Sequence, residues 1–515
     1  MFPGTHAAAD PQRPAVVMAG SGDTLTYGDL DTRSAQVAAA LHAAGLRRGD
    51  AIAILADNTA EVFVIYWAAL RSGLYVTAVN HHLSAPEAGY IVTDSGAQAF
   101  FVSGALADLG RQLLDEIPAD VARYAFGADI DGYRPYLELL DAKVPPLTDQ
   151  PRGADMLYSS GTTGRPKGIK PHLLPIQVDE PGDPVLAVLQ NAFDIGPDAV
   201  YLSPAPIYHA APLKYCAGMQ ALGATVILME KFDAEQTLAA IETHRVTMTQ
   251  MVPTMFVRLL QLPQDIRSRY DLSSLRTVVH AGAPCPPEVK DAMLDWWGPI
   301  LVEYYSATEA HGMTMMNSAQ WRTKRGSVGR AVLGTIHICD DAGAELPAGE
   351  VGTVYFERDA MPFVYHNDAA KTREAQHPHY ENWTTVGDLG YLDEDGYLFL
   401  TDRKSFMIIS GGVNIYPQET ENVLTLHPAV FDVAVIGVPD PVMGEQVKAV
   451  VALRPGFTAG DDLAADLIDY VRDRVAHYKA PRTVDFVDAL PRTPTGKLVK
   501  GTLKARYIDT TRSQA

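Results

Sequence analysis

A run of small polar residues with one lysine, at positions 157–170, has the composition of a loop that holds a polyphosphate. Glycines let backbone N–H groups approach an anion closely, hydroxyl groups add hydrogen-bond donors, and a lysine supplies positive charge. The order differs from the Walker A pattern, in which Gly-Lys is followed by Ser or Thr, because Lys167 precedes Gly168. An ordinary P-loop NTPase is therefore disfavoured. The candidate phosphate-binding residues are Ser159, Ser160, Gly161, Thr162, Thr163, Gly164 and Lys167.

This segment resembles the phosphate-binding signature of the adenylate-forming superfamily, which contains acyl-CoA and aryl-CoA ligases, peptide-synthetase adenylation domains and beetle luciferases. Further motifs in the family's order extend the resemblance over roughly residues 25–504. The resemblance implies an α/β fold: a large N-terminal region of mixed parallel sheets with helices and a small β-rich subdomain, followed by a small mobile α+β C-terminal domain. We expect an N-terminal adenylate-forming domain at 1–402, a hinge at 403–405 and a C-terminal domain with the catalytic lysine at 406–515.

Residues 304–309, Tyr-Tyr-Ser-Ala-Thr-Glu, resemble the family's second signature. The resemblance implies that Tyr305 stacks on adenine, Thr308 bonds the α-phosphate and Glu309 holds Mg²⁺. A hard cation prefers carboxylate oxygen and bridges phosphate oxygens during attack at the α-phosphorus. Ser306 replaces the family's usual glycine, which is expected to narrow the acyl pocket. Further nucleotide contacts are expected at Glu303, Tyr304, Gly282, Ala283 and Pro284.

Three later segments resemble the remaining signatures. Asp388 matches the aspartate that accepts from both ribose hydroxyls, and Arg403 matches an arginine that also reaches the ribose. Lys497 follows Thr-Gly and matches the lysine that enters the site for adenylation, where it would stabilise charge growing at phosphorus. Ser405 stands where the family's hinge usually has Lys or Asp. The residues expected along the CoA tunnel are Ser410, Gly411, Gly412 and Tyr416.

The segment Pro-Ile-Tyr-His ending at His209 resembles the loop whose histidine lies beside the acyl carboxylate. No aspartate stands among Tyr208, His209 and Ala210 to pair a substrate ammonium. Burying an unpaired ammonium is costly, which disfavours an α-amino acid substrate. The candidate pocket segments contain several methionines, including Met251 and Met313. Methionines adapt to irregular apolar shapes, so these residues favour a bulky hydrophobic acid of fatty, aryl or steroid type. The candidate substrate contacts are Tyr208, His209, Met251, Val252, His280, Gly282, Tyr304, Ser306 and Met313.

The resemblance thus implies an ATP-dependent acid–CoA ligase that forms an acyl-adenylate and then a thioester, with ATP, Mg²⁺ and coenzyme A as cofactors. The residues expected to carry the reaction are Lys497, Thr308, Glu309, His209 and Lys167. Two alternatives stay open: an adenylating enzyme that loads a carrier protein, and a non-catalytic relative that binds acyl or nucleotide ligands. No residue pattern points to the oxygen chemistry of a luciferase.

The 515 residues carry a formal charge of −20, which disfavours nucleic acid and anionic lipid as general partners. The three cysteines, Cys216, Cys285 and Cys339, lie far apart and offer no disulfide framework or metal motif, so a reducing cytosol is expected. No apolar run reaches the roughly 18 residues of a membrane span, and no signal peptide is recognised. A homodimer remains open.

The elements that must position these residues alternate between strand and helix. We expect a helix at 27–44, strands at 51–55, 75–79 and 99–102, and a helix capped by Asn58 with Glu61 as its capping-box partner. The same alternation returns with strands at 225–229 and 277–280 and a helix at 232–244. Such repeats imply parallel sheets covered by helices.

After residue 334 shorter strands are expected at 353–357 and 397–400. The last unit is expected to have strands at 433–438 and 448–453 and a helix at 462–475.

Four prolines that follow the phosphate loop block a regular helix through residues 176–183. They are Pro171, Pro175, Pro181 and Pro184. This segment is expected to be a lid, a wall of the acyl channel or an insertion without a role.

Overall fold

A computed structural model describes residues 1–159, 166–193, 195–403, 406–410, 413–492 and 498–512. Five sheets organise these ranges, and the first two are built largely from parallel strands. The largest sheet has nine strands, of which the six in the middle run parallel and those at both edges antiparallel. Its strands, in spatial order, are Arg330–Leu333, Met313–Asn317, Leu301–Ser306, Thr277–His280, Met248–Met251, Val200–Ser203, Thr225–Leu228, Pro14–Met18 and Thr24–Thr26.

The second sheet is parallel throughout its six strands. In spatial order they are Arg134–Pro135, Ala122–Phe126, Ala97–Ser103, Ala51–Leu55, Tyr75–Val79 and Ala154–Asp155. The largest hydrophobic core lies between these two sheets and includes Ile52 and Phe101 from one and Val226 and Tyr201 from the other. The α-helices of this region are Pro3–Ala9, Tyr27–Ala43, Glu61–Leu70, Ala85–Asp94, Ala107–Gln112, Leu137–Leu140, Pro184–Ala192, Ala210–Ala221, Ala234–Thr243, Pro253–Leu260, Gln264–Arg267, Pro287–Trp297 and Ser318–Thr323.

Two smaller antiparallel sheets follow. One has three strands and the other has five. The three-stranded sheet consists of Leu157–Ser159, Lys167–Pro171 and Phe363–Tyr365. The five-stranded sheet consists of Thr335–Cys339, Gly352–Glu357, Trp383–Thr384, Asp388–Leu392 and Leu398–Arg403, and the helix Ala369–Glu374 lies between its strands in sequence.

The C-terminal unit has its own five-stranded sheet and its own apolar core around Val435 and Val451. Its strands are Ile408–Ser410, Val413–Ile415, Val430–Asp440, Gly444–Leu453 and Thr483–Val487. Its α-helices are Pro417–Leu424, Asp461–Arg472 and Lys500–Arg512, and short 3₁₀ turns occur at Gly104–Leu106 and His477–Lys479.

Most predicted elements are present with shifted ends. The expected helix at 232–244 is Ala234–Thr243, because Asp233 caps it by accepting from the Gln236 amide. The expected strand at 433–438 is longer, Val430–Asp440, because it pairs along Gly444–Leu453 for its full length. Periodicity therefore located the elements, and local capping and strand pairing set where they begin and end.

The prediction that Asn58 caps a helix is wrong. The helix Glu61–Leu70 begins without a side-chain cap, and the Asn58 side chain is buried instead. Its Nδ2 donates to the carbonyls of Ala205 at 3.0 Å and Met229 at 2.8 Å, and its Oδ1 accepts from the Ile207 N–H at 2.9 Å. This amide thereby ties the second sheet to the loop that leads to His209.

The proline-containing segment after the phosphate loop has no helix before Pro184–Ala192, as predicted. Its backbone is fastened to the residues that precede the phosphate loop. The Arg152 amide donates to the Ile176 carbonyl, and the Val178 amide donates to the Gln150 carbonyl, both at 2.9 Å. Val178 itself is buried in the main core. The segment is therefore a packed part of the N-terminal region.

Candidate active site

The phosphate-loop segment is bounded by two antiparallel strands. Ser159 pairs with Lys167, so these two residues stand at the base of the connection. The Tyr158 hydroxyl donates to Asp94 Oδ2 at 2.6 Å and anchors the first strand to a neighbouring helix. Five predicted phosphate contacts lie outside the described residues and stay predictions: Ser160, Gly161, Thr162, Thr163 and Gly164.

Lys167 opens the second of these strands and lies in a partly desolvated, charged neighbourhood. Burial lowers the pKa of its ammonium, and Lys371 lowers it further, whereas Asp368, Glu374 and Glu309 oppose the shift. Its Nζ lies 5.8 Å from the ring centroid of Tyr365. Glu309 is thus one of the charges that act on the Lys167 ammonium.

Glu309 is 8% exposed and accepts a hydrogen bond from the Tyr365 hydroxyl at 2.8 Å on Oε1. Glu309 and Thr308 line a small cleft of about 40 Å³ together with Asp155 and Lys214. Tyr365 and Lys214 are not among the predicted site residues. A tyrosine near a turn and a lysine within a helix carry no local signal of such a position.

The second and third signatures meet through a side-chain contact. The Tyr305 hydroxyl donates to Asp388 Oδ2 at 2.6 Å, and Asp388 is 8% exposed. Asp388 pairs with Arg403 across two strands of the five-stranded sheet, although the Arg403 side chain lies outside the described part of the chain. The expected adenine-stacking and ribose-binding residues are therefore neighbours.

Ser306, which replaces the family's glycine, turns its hydroxyl toward its own loop. Its Oγ donates to the Gly312 carbonyl at 2.7 Å and closes the loop that carries Thr308 and Glu309. Ala310 in the same loop has a positive φ of 50°, which is an uncommon conformation for a residue with a side chain.

The candidate residues cluster where parallel strands of the nine-stranded sheet end. Val200–Ser203 leads to His209, Met248–Met251 leads to Val252, and Thr277–His280 leads to the predicted Gly282-Ala283-Pro284 turn. A Cβ added at Gly282 would lie 3.5 Å from Val252 Cγ1, and the φ of Gly282 is +86°. Ligands of open α/β sheets bind at such carboxyl ends.

The predicted acyl contacts divide between the two faces of this sheet. Successive residues of a strand point to opposite faces. Tyr304 and Ser306 share a face with Met313, which pairs with Ser306. Met251 and His280 pair with each other on the opposite face, the one covered by helices Pro253–Leu260 and Pro287–Trp297.

His280 and Glu303 both make buried contacts on that second face of the sheet. His280 is fully buried and packs edge-on against Phe256 with ring centroids 5.3 Å apart. Glu303 accepts from Lys290 Nζ at 2.6 Å, and Lys290 is also fully buried. Burial raises the pKa of Glu303, although the ammonium opposes the rise. Their proposed contacts with substrate and nucleotide stay predictions.

Tyr208 and His209 stand in an aromatic group at the start of the helix Ala210–Ala221. Their rings lie 4.4 Å apart, and Tyr208 meets His81 edge-on at 5.0 Å. Burial raises the pKa of Tyr208 above that of an ordinary tyrosine. This group forms a ring-lined wall beside the expected acyl carboxylate.

Three further tyrosines form a row between the same helix and the nine-stranded sheet. Tyr201 stacks on Tyr215 at 6.0 Å, and Tyr215 lies 6.2 Å from Tyr304. Burial raises the pKa of all three phenols, so they stay neutral. Tyr201 and Tyr215 belong to the main core, and Tyr304 at the end of the row is only partly buried.

In the C-terminal unit, Ser410 ends a strand and pairs with Val413, and Tyr416 directly precedes the helix Pro417–Leu424. Gly411, Gly412, Ser405 and Lys497 lie outside the described residues and stay predictions. The described neighbours of Lys497, Arg492 and Leu498, form an antiparallel bridge.

Within the described ranges, no cluster of three or more His, Cys, Asp or Glu side chains could hold a metal ion. The single carboxylate of Glu309 nevertheless suits Mg²⁺, which usually binds one or two carboxylates together with substrate phosphates and waters. No helix in the part of the chain that the structure describes has both the length and the apolar character of a membrane span.

This fold is that of an adenylate-forming enzyme. The family model described as AMP-binding enzyme matches residues 4–365, and the one for the AMP-binding enzyme C-terminal domain matches residues 419–497. Since the first alone spans more than half of the chain, this protein belongs to the AMP-binding enzyme family.

Individual relatives agree with that assignment. The chain is 35% identical over 513 residues to a feruloyl-CoA synthase of Amycolatopsis sp., with 98% of each chain covered. It is 31% identical over 518 residues to the long-chain-fatty-acid–CoA ligase FadD13 of Mycobacterium tuberculosis, covering 98% of this chain and 97% of the relative.

Among solved structures, it resembles the o-succinylbenzoate CoA synthetase MenE of Bacillus subtilis in complex with the acyl-adenylate intermediate OSB-AMP. The TM-score is 0.80 at 27% identity, and the match covers 98% of this chain and 97% of MenE. These likenesses confirm the predicted family, the α/β fold with a small C-terminal domain, and the class of AMP-forming acid–CoA ligases.

Proposed function

We propose that this protein is an ATP-dependent acid–CoA ligase that works in two steps through an acyl-adenylate. First, a carboxylate oxygen of the acid attacks the α-phosphorus of ATP, the bond to the bridging oxygen of the β-phosphate breaks, and pyrophosphate leaves. Second, the CoA sulfur attacks the acyl carbon, the carbon–oxygen bond to AMP breaks, and the thiol proton is released. The observation that carries the proposal is that Thr308 and Glu309 line one cleft with Ile169 and Pro171 of the strand that begins at Lys167. Tyr305, four residues before Glu309, donates to Asp388.

In the first step negative charge grows on the phosphate oxygens and the leaving pyrophosphate. The ammonium of Lys167 and the hydroxyl of Thr308 stabilise that charge, and Asp388 orients the ribose through its hydroxyls. Mg²⁺ held by Glu309 would neutralise phosphate oxygens when bound. His209 lies at the start of a helix beside the expected carboxylate. Lys497 is assigned to this step by sequence alone.

The acid is a bulky hydrophobic one, and the aryl class is favoured over the fatty and steroid types. The relative named as a feruloyl-CoA synthase supports this choice. Tyr304 supports it as well, because its ring is only partly buried at the end of the row and a flat ring packs in offset or edge-on contacts with an aryl group. The rings of Tyr208 and His209 lie toward the carboxylate end of the same pocket.

Coenzyme A is proposed as the acceptor, reaching the adenylate along Ser410, Gly411, Gly412 and Tyr416 after the C-terminal domain turns about residues 403–405. A hinge needs torsional freedom more than a particular side chain, so Ser405 is compatible with that turn. The division into domains at 1–402 and 406–515 belongs to this proposal.

The test is pyrophosphate release on a panel of fatty, aryl and steroid-type acids, measured with and without CoA. Wild type is compared with Lys497→Ala and with Lys143→Ala, a control lysine that is exposed in the N-terminal region. We expect acid-dependent release that turns over with CoA, is fastest with an aryl acid and collapses only in Lys497→Ala. Pyrophosphate release without thioester formation would point to another acceptor, such as a carrier protein. The absence of pyrophosphate release with every acid would overturn the proposal.

A further inference from the structure

The carboxylate of Glu309 is held by a residue from a different sheet. Glu309 follows the strand Leu301–Ser306, whereas Tyr365 ends the strand Phe363–Tyr365 of the three-stranded sheet. The tyrosine hydroxyl donates to Glu309 Oε1 at 2.8 Å, and the two residues are 8% and 7% exposed. This contact is therefore shielded from water, and its geometry is set by the packing of two separate elements.

Tyr365 is itself fixed on both sides of its backbone. It pairs with Ile169 in the strand Lys167–Pro171, and its amide donates to Thr372 Oγ1 at 2.9 Å. The paired strand is the one that leaves the phosphate loop. One short sheet thus positions both Lys167 and the hydroxyl that meets Glu309.

Among the described residues, no lysine or arginine forms an ion pair with Glu309. The hydrogen bond from Tyr365 fixes the orientation of the carboxylate without adding a formal charge. A lysine or arginine in that place would compete directly with a bound cation. A neutral donor on Oε1 is the arrangement expected of a carboxylate whose other oxygen ligates a metal ion.

We propose that Tyr365 is a positioning residue for Glu309, which orients the carboxylate for the Mg²⁺ of Mg·ATP and couples it to the phosphate loop. This inference rests on the proposed function, because that function assigns Mg²⁺ to Glu309. Outer partners of metal ligands typically contribute ten- to hundredfold in metal affinity, at about the level of one strong hydrogen bond.

The test follows Mg²⁺-dependent binding of ATP in the absence of acid, by calorimetry and by the thermal shift that ATP produces. Tyr365→Phe removes the hydroxyl and keeps the ring. Tyr133→Phe is the control, because that hydroxyl makes a hydrogen bond of the same length, to the Gly110 carbonyl at 2.8 Å, in a partly buried position. We expect Tyr365→Phe to raise the half-saturating Mg²⁺ concentration about tenfold. At high Mg²⁺ concentration this variant should bind ATP as wild type does. Tyr133→Phe should match wild type at all Mg²⁺ concentrations.

An unchanged Mg²⁺ curve in Tyr365→Phe, or a lower melting temperature with the same Mg²⁺ curve, would overturn the inference and leave the hydroxyl a purely structural role. Wild type and Glu309→Gln separate this failure from failure of the proposed function. If wild type binds ATP without any need for Mg²⁺, the assignment of the metal to Glu309 fails first. If ATP binding to wild type depends on Mg²⁺ and this dependence is lost in Glu309→Gln, the metal assignment stands. Only the role of Tyr365 is then in question.

A double-mutant cycle adds a second measurement. Tyr365→Phe combined with Glu309→Gln should change the Mg²⁺ curve no further than Glu309→Gln alone, because the proposed effect of the hydroxyl on Mg²⁺ passes through the carboxylate. Additive effects of the two substitutions would contradict the inference.

Discussion

The Tyr305 hydroxyl donates to Asp388 Oδ2 at 2.6 Å and joins two signatures that stand 83 residues apart in the chain. Tyr305 is the second-last residue of a strand in the nine-stranded sheet, and Asp388 begins a strand of the five-stranded sheet. The contact therefore fixes the ring proposed to face adenine relative to the carboxylate proposed to hold the ribose. A nucleoside needs both at a set distance, so the hydroxyl is expected to matter for ATP binding.

Tyr305→Phe keeps the ring and removes the hydroxyl. A hydrogen bond to a charged acceptor contributes ~1.5–3 kcal/mol, part of which the ribose hydroxyls replace when ATP binds. We expect KM for ATP to rise about tenfold while KM for the acid changes little. Tyr305→Phe and Asp388→Asn should be non-additive in steady-state kinetics. A change confined to KM for the acid would contradict the ribose assignment.

Asn58→Ala removes a buried amide that satisfies two carbonyls and one N–H near the loop that leads to His209. Each group left without a partner costs about 1–3 kcal/mol, so we expect a loss of unfolding free energy of about 2–5 kcal/mol in urea denaturation. KM for the acid should rise more than KM for ATP, because the tied loop belongs to the acyl side. Asn382→Ala, which breaks one hydrogen bond to the Arg358 carbonyl, is the control. Equal losses in both variants would show that Asn58 has no special role.

Lys290→Met leaves the buried carboxylate of Glu303 without its partner. Breaking a buried ion pair costs about 3–5 kcal/mol, whereas replacing both members by apolar residues is often neutral. We expect Lys290→Met to lower the urea midpoint strongly, and Lys290→Met/Glu303→Leu to recover most of it. A folded double variant that no longer binds ATP would instead support the predicted nucleotide contact of Glu303.

His280 is buried with a pKa held well below 6.5, first by burial and then by Lys290. Below pH 6.5 the unfolded chain takes up a proton on this ring that the folded chain does not bind. This proton uptake therefore lowers the free energy of unfolding as the pH falls, with a slope of up to about 1.4 kcal/mol per pH unit. His280→Gln should flatten the loss of unfolding free energy between about pH 6.5 and pH 5. Parallel pH curves for both proteins would contradict this.

Much of the fold could be predicted from local pattern. Buried strands such as Tyr75–Val79 and the helix beginning at Tyr27 follow from runs of apolar residues and their spacing. The error at Asn58 has a physical cause. The pattern of Asn followed three residues later by Glu does not distinguish an amide that caps a helix from one that bridges distant segments. Here the partners of Asn58 lie 147 to 171 residues away and decide the outcome.

The candidate site was likewise predictable only in part. Its motif residues could be recognised individually, but the contacts that relate them could not. Tyr365 has no local sign of its bond to Glu309, which lies 56 residues before it. The opposite faces of Met251 and Tyr304 depend on strand register, which the motifs do not report. The role of Lys497, a homodimer and a cytosolic location stay predictions.

The central claim is an acyl-adenylate that forms before the thioester. The most direct measurement is a rapid-quench experiment with ATP labelled at the α-phosphate, using the best acid from the panel. The account predicts that labelled acyl-adenylate and pyrophosphate appear together without CoA, and that CoA then converts the adenylate to thioester and labelled AMP. Thioester without a preceding labelled adenylate, or labelled ADP in place of AMP, would contradict it.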